Sequence, residues 1–299
     1  MSRLRPKSQN CDQNCSGQLT SNAQAMKILH LKHALLSLCM LSWMVNGHAA
    51  DVNFNLTPSN RWSFEWGWNN ETYSQSDIHF KGVDHQFVLY GVRATDTQKT
   101  LTPQTLFNTY LNPGKITIPQ TNARLAYQLN SETALALNLD HMKYVVSDAQ
   151  SVKASGQYLD QVFSSPGQQV LSPAFMHYEH TDGLNVVSVE YEKRYPLRHF
   201  LGYLKGHAFA LVGIGIVIPK SNITMTMLGQ VRNDKFHQAG TNLDIAGGFE
   251  VDFMKDYFAR TTYKVGRVKL SDVVTSARQD KASQNINYQE ASLTLGLRF

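Results

Sequence analysis

The sequence predicts an all-β chain, folded as a membrane-spanning antiparallel up-and-down β-barrel of eight strands with short turns at one rim and long loops at the other. Three observations predict it. Apolar and polar residues alternate in pieces of about ten residues separated by turn signals, as membrane barrel strands require. Trp62, Phe64, Trp66 and Trp68 put four aromatics on one face of a single stretch, with Ser63, Glu65 and Gly67 opposite. A soluble β-sandwich would have to bury such a row, whereas lipid and its interfaces accept it on the outside. Third, from Ala291 the chain alternates strictly to its last residue. Ala291, Leu293, Leu295, Leu297 and Phe299 fall on one face, and Ser292, Thr294, Gly296 and Arg298 on the other. A period of two is a strand, because successive side chains point to opposite faces.

That final stretch resembles the closing strand of bacterial outer-membrane β-barrel proteins of the small eight-strand type. The resemblance implies an address in the cell outer membrane and recognition of the strand ending in Phe299 by the barrel assembly machinery. It also implies outer-membrane lipid and lipopolysaccharide as surroundings.

The front of the chain agrees with that address. Residues 1–25 are polar and patternless and are expected to be a non-native N-terminal extension ahead of a true start at Met26. Residues 26–50 read as a signal peptide: Lys27 and Lys32 are basic, Ala34 to Val45 is apolar, and cleavage is expected near Ala49 or Ala50. The apolar run has twelve residues, about 18 Å of helix, too short to cross a ~30 Å hydrocarbon core. Residues 51–299 are then the barrel domain. Cys11, Cys15 and Cys39 all precede Asp51, so that domain has no cysteine for a disulfide or a thiolate-bound metal. The first 50 residues also hold five Lys/Arg and one Asp, so the totals of 28 and 23 fall to 23 and 22. The net charge of +5 becomes +1, which removes the ground for a nucleic-acid partner. No cofactor motif is present, and nothing in the sequence fixes the oligomeric state.

In chain order, Ile78 and Phe80 alternate with Asp77, His79 and Lys81, and Phe87 to Val92 is a second short β-like run. These read as a hairpin above the membrane, and the strand number becomes ten if they join the wall. Ala123 to Leu129 and Leu135 to Leu139 form two strands around the turn Asn130-Ser131-Glu132, which places Asp140 to Lys143 at the outer rim. Ser147 to Gly183 reads as one long external loop. Val187, Val189 and Tyr191 descend opposite Ser188, Glu190 and Glu192. A turn around Tyr195 to Lys205 leads to the Gly-rich strand Gly206 to Ile218, and Pro219 opens another external segment because proline cannot donate to a central ladder. Leu243 to Phe253 and Tyr257 to Val265 form a hairpin, Arg267 to Asn285 the last long loop, and Ile286 to Phe299 the closing strand.

A Lys or Arg facing lipid at mid-depth costs about 2–4 kcal/mol, so the charged face of each strand must point inward. If Phe253 pairs with Tyr257, then Glu250 lies opposite Arg260; the preceding hairpin likewise sets Arg124 opposite Asn138 and Asn122 opposite Asp140. An eight-strand ring is only wide enough for its own side chains. Glu65, Arg124, Glu190, Glu250, Arg260 and Arg298 are therefore expected to form a structural lumen network that plugs the barrel.

The expected outer rim gathers Asp77, His79, Asp140, His141, His177, Glu179, His180 and Asp182, the residue types of acid–base chemistry and of metal sites. His141, His177 and His180 are the candidate metal ligands. The run His177-Tyr178-Glu179-His180-Thr181-Asp182-Gly183-Leu184-Asn185, followed by Glu190, resembles outer-membrane lipid A deacylases. The resemblance implies His180 as base and Glu190 as the residue orienting it, with Asp182 where that family carries its serine nucleophile. Two functions follow. The favoured one is a non-enzymatic outer-membrane barrel whose external loops bind a surface partner or ligand. The alternative is an outer-leaflet lipid hydrolase using His180, Asp182 and Glu190. External loops also use histidine and carboxylate simply for solvation, and this weighs toward the first.

Overall fold

The computed structural model describes residues 60–96, 102–112, 115, 120–164, 167–200, 204–231 and 233–299. The expected N-terminal extension and signal peptide lie outside them. Eight strands form the membrane ring: β1 (Trp62–Tyr73), β5 (Thr121–Gln128), β6 (Thr133–Val146), β10 (His177–Phe200), β11 (Leu204–Thr224), β13 (Gly240–Asp252), β14 (Tyr257–Val274) and β15 (Lys281–Arg298). Each pairs antiparallel with the next, and β15 returns to β1 with Phe64 opposite Leu297, so the wall has no open edge. The strand number is eight.

Stepping from partner to partner shows how the wall is wound. From Gln289 the path runs through Val265, Ile245, Val212, Tyr191, Leu135, Tyr127 and Trp62, and returns to β15 at Phe299, ten residues further on. Such a stagger tilts the strands by ~35–45° from the barrel axis. A row of hydrogen-bonded partners therefore climbs across the wall rather than circling it at one height.

Outward side chains form an apolar band. Leu137, Ile214, Leu243, Ile245 and Leu295 are 53–68% exposed. On β14 the band runs from Tyr257 to Val265, and nine residues at that tilt span about 23 Å, close to the ~25 Å lipid-facing belt of such barrels. Trp62, Tyr195, Phe253, Tyr257 and Phe299 ring its lower edge and are all exposed. The aromatic row of β1 points outward.

Above the band the strands that continue, β14 and β15 among them, do so with their polarity inverted. On β15 the inward residues are Glu290, Thr294 and Gly296 low down, but Tyr288, Ile286 and Ala282 higher up; the outward ones change from Leu293 and Leu295 to Gln289, Asn287 and Asn285. On β14, outward Tyr263 and Val265 give way to Arg267 and Lys269, while inward Lys264 gives way to Val268 and Leu270. The external half is thus a water-soluble barrel with a hydrophobic core, standing on a membrane barrel with a polar one.

This upper wall replaces much of what reads as loop in the sequence. Residues 147–183 contain β7 (Ser151–Tyr158), β8 (Gln161–Val162) and β9 (Gly167–Val170), because Val152 and Ala154 are needed by the external core. Residues 267–285 belong mostly to β14 and β15, leaving a short connection at 275–280. β10 and β11 likewise extend to Phe200 and Leu204 across the expected turn at 195–205. β11 also passes through Pro219 to Thr224. Proline is accepted there because the register with β10 shifts between Leu184, opposite Pro219, and Glu179, opposite Asn222. The 78–92 hairpin, β2 (Ser76–Lys81) and β3 (His85–Val92), stands above the ring and links β15 to β7. Two small strands complete the upper wall: β4 (Ala94–Thr95) on β6 and β12 (Asn233–Phe236) on β11.

The band makes a direct prediction. Ile214→Arg should cost about 2–4 kcal/mol and Asn285→Arg, above the lipid, about 1 kcal/mol or less. Urea unfolding of protein refolded into lipid vesicles measures both, and equal costs would contradict this placement.

Candidate functional site

The lumen of the membrane ring is built from inward residues of all eight strands. Glu250 faces Arg260, Arg124 faces Asn138 and Asn122 faces Asp140 in the hydrogen-bonded register. Arg124 is almost fully buried and spends its whole guanidinium on carboxylates: Nε to Glu190 at 2.7 Å, Nη1 to Glu65 at 2.9 Å and Nη2 to Glu192 at 2.8 Å. Arg260 reaches the same Glu192 oxygen at 2.5 Å and Glu250 at 3.2 Å, with its Cζ 3.4 Å from the Phe209 ring centroid. Arg298 pairs with Glu250 and with Asp252 at 2.8 Å, and Thr294 donates to Glu65 at 2.6 Å. One layer higher, Lys264 bridges Asp140 at 2.7 Å and Glu190 at 3.2 Å. Glu71 and Glu290, opposite one another across β1 and β15, turn inward at that level.

The six lumen residues read from the sequence thus meet in one network. Glu192, Lys264, Asp140 and Arg194 also belong to it and are missing from that reading. Asp140 is fully buried rather than at the rim, because β6 runs on past it with Met142 and Tyr144 also inside.

Above the charges the filling is hydrophobic. Phe80 stacks on Phe87 with centroids 4.7 Å apart, and Ile78, Leu89, Met142, Leu184, Val268 and Ile286 pack with them. His180 lies in this layer, not on the rim. Its ring is fully buried beside Tyr144 and Tyr178, and Nδ1 meets Ser221 Oγ at 2.8 Å. Burial alone pushes its pKa down to about 3, so it is neutral in the fold.

The remaining rim candidates separate. Asp182 is exposed and pairs with Lys220 at 2.7 Å. Glu190 is taken by Arg124 and Lys264 in the lower layer, so the deacylase-like set of His180, Asp182 and Glu190 is spread over three environments: apolar core, solvent and salt network. His177 contacts Glu179 at 3.0 Å, His141 contacts Asn185 at 2.7 Å on the outer wall, and His79 points to solvent. The three metal candidates therefore face two outer positions and one dry interior. No group of three or more His, Cys, Asp or Glu among the described residues has metal-binding geometry.

The structure does assemble one polar cluster at the far tip, from parts distant in sequence. Asp280 accepts Ser276 Oγ at 2.7 Å, Gln230 Nε2 at 3.0 Å and the Val83 amide at 3.1 Å. Burial works against its ionisation, but these bonds and Arg278 offset that and hold the carboxyl below its ordinary range. His85 is buried next to it, and burial, with Arg278, lowers its pKa against the pull of Asp280 and Asp84. Gly82 gives this cluster its room: a Cβ there would sit 2.3 Å from the His85 ring and 2.4 Å from Asp280. Ser276 donates to the carboxylate and not to the imidazole, so the trio lacks the relay that activates a nucleophile. The tip carries exposed Val83, Leu159 and Val162, and a 420 Å³ cleft runs between the 82–86 and 157–160 turns. Nothing local in the sequence marks this site, since its residues come from turns 50 to about 200 positions apart.

A closed antiparallel ring with an apolar exterior, a charged interior and aromatic edges can only be solvated by lipid outside and by its own side chains within. The chain is an outer-membrane β-barrel. No family model matches it, and no curated protein does. Among solved structures it is similar to Ail, the attachment invasion locus protein of Yersinia pestis, at 12% identity over 81% of this chain and 99% of that one, TM-score 0.32. Neisserial surface protein A matches at 11% identity over 80% and 97%, TM-score 0.32. The outer-membrane protease OmpT from Escherichia coli matches at 8% identity over 81% and 98%, TM-score 0.41. Overlap this loose says nothing about activity.

Two predictions follow from the interior of this barrel. Arg124→Met leaves three buried carboxylates short of a partner and should cost about 3–5 kcal/mol, part of it recovered by adding Glu192→Gln. Urea midpoints in vesicles test this, and a neutral single variant would overturn the network. For His180, an unfolded chain takes up a proton below about pH 6.5 while the folded one resists until about 3, so stability falls as pH drops through that window. His180→Phe should flatten that part of the profile without changing it above pH 7.

Proposed function

We propose that this outer-membrane barrel is a non-enzymatic, non-conducting surface protein that uses its raised external tip to bind a partner or ligand. The observation that carries this reading is the continuous filling of the interior. Buried ion pairs occupy the ring through the membrane and aliphatic and aromatic residues the layer above, which supports a lumen closed to solutes. Side chains able to form a reactive constellation are dispersed or neutralised, as His180 and Glu190 are. The tip, by contrast, is lifted clear of the lipid on a rigid wall and presents Val83, Leu159 and Val162 around a polar cleft, which is how a docking surface is composed. Secretion through a signal peptide at residues 26–50 and assembly through the strand ending in Phe299 belong to the same proposal.

Planar bilayers containing the refolded protein should show no open-channel conductance of nanosiemens size, and such conductance would overturn the plugged-lumen reading. Lipid A from cells with and without the protein should have the same acyl pattern by mass spectrometry. A change abolished by His180→Ala would instead establish the hydrolase.

A further inference from the structure

The outer wall carries a groove that the tip-binding reading does not use. It lies across the outward faces of β6, β10, β11, β13 and β14, has a volume of 950 Å³, and runs from mid-membrane to the rim. Two hydrogen-bonded rows form it. One passes from Arg267 through Leu243, Ile214 and Val189 to Leu137; the other from Lys269 through Thr241 and Ile216 to Val187. Because the stagger of the barrel makes such rows climb, their aliphatic ends lie at mid-depth in the lipid and their cationic ends at its outer surface.

Arg267 and Lys269 are two residues apart on β14, so both point outward from the same face, and both are exposed. Asn285, exposed on β15 opposite Lys269, adds an amide beside them. Three other external cations are paired: Lys220 with Asp182, Lys281 with Asp272 and Arg278 with Asp84. Among the described residues Arg267 and Lys269 make no ion pair.

We propose that this groove is a binding site for a phosphorylated, acylated lipid of the outer leaflet. Arg267 and Lys269 hold the phosphate and an acyl chain lies down the aliphatic rows. Charge complementarity selects this occupant over a second copy of the chain, which would bring two like charges to the same surface. A guanidinium and an ammonium side by side offer several charge-assisted donors to one phosphate. The aliphatic rows below are at the height where the chain attached to that phosphate must run.

The proposal rests on the outer-membrane placement and not on whether the lumen conducts, so its test and the conductance test fail separately. The refolded protein is incubated in detergent with bisphosphorylated lipid A, with dephosphorylated lipid A, or with phosphatidylcholine, and retained lipid is counted by native mass spectrometry. Each cation near an anionic headgroup is worth ~1 kcal/mol, so the phosphorylated lipid should be retained about tenfold or more over the dephosphorylated one. R267Q/K269Q should remove that preference, whereas K220Q, at a cation already paired, should keep it. Equal retention of the phosphorylated and dephosphorylated lipids by the wild-type protein overturns the proposal, as does an unchanged preference in the folded double variant. Should the double variant fail to fold, the wild-type comparison decides alone.

Discussion

A guanidinium enclosed by an eight-strand ring in lipid has no water to turn to, and removing it from water costs several kcal/mol. Arg124 and Arg260 meet that cost only because carboxylates from three other strands converge on them. The convergence in turn fixes the strands. Glu65 comes from β1, Glu190 and Glu192 from β10 and Glu250 from β13, so sliding any of these by one residue would turn a carboxylate toward lipid and strand a cation inside. The network therefore acts as a register lock. Its net contribution to stability can be small even though breaking it is expensive.

The same constraint explains the change of polarity along β14 and β15. Inside the lipid, the outward row must be apolar and the inward row is free to be charged. Above the lipid, water replaces hydrocarbon outside, so the outward row becomes Gln289, Asn287 and Asn285. The inward row must then supply the hydrophobic burial that holds an aqueous barrel together. The pleat does not change; only the solvent does. Tyr288 and Glu290 are neighbours on one inward row, one belonging to the upper core and the other to the lower acidic layer.

This inversion also decides what could be read from the sequence. Strands in the membrane were legible because lipid imposes one rule on all of them, apolar outward, and the charged row was then inward by elimination. Glu65, Arg124 and Arg260 follow from that rule. The upper wall obeys the opposite rule, so runs such as Ser151 to Tyr158 have the alternation of a strand but the exterior of a loop. Glycine, serine and proline around them complete the disguise. His180 reads as a rim residue for the same reason: the sequence shows it next to Glu179 and Asp182, while it lies on the same inward row as Tyr178, Leu184 and Glu190, which above the lipid is the core row. The tip cluster of His85, Ser276 and Asp280 needs two hairpins almost 200 residues apart folded together before it exists, and local pattern carries no record of that.

A wall that is packed along its whole length is stiff, and stiffness bears on where function can reside. Movement in the lumen would have to break ion pairs in a dry ring, and movement in the upper core would have to open stacked aromatics such as Phe80 and Phe87. On the proposals made above, recognition falls to two surfaces of this stiff wall: the cleft at the tip and the groove on the lipid face. Preformed sites lose little entropy on binding, so a few contacts can suffice at each. In these proposals the barrel interior serves recognition indirectly, by holding Val83 and Leu159 far above the membrane and Arg267 and Lys269 at its surface.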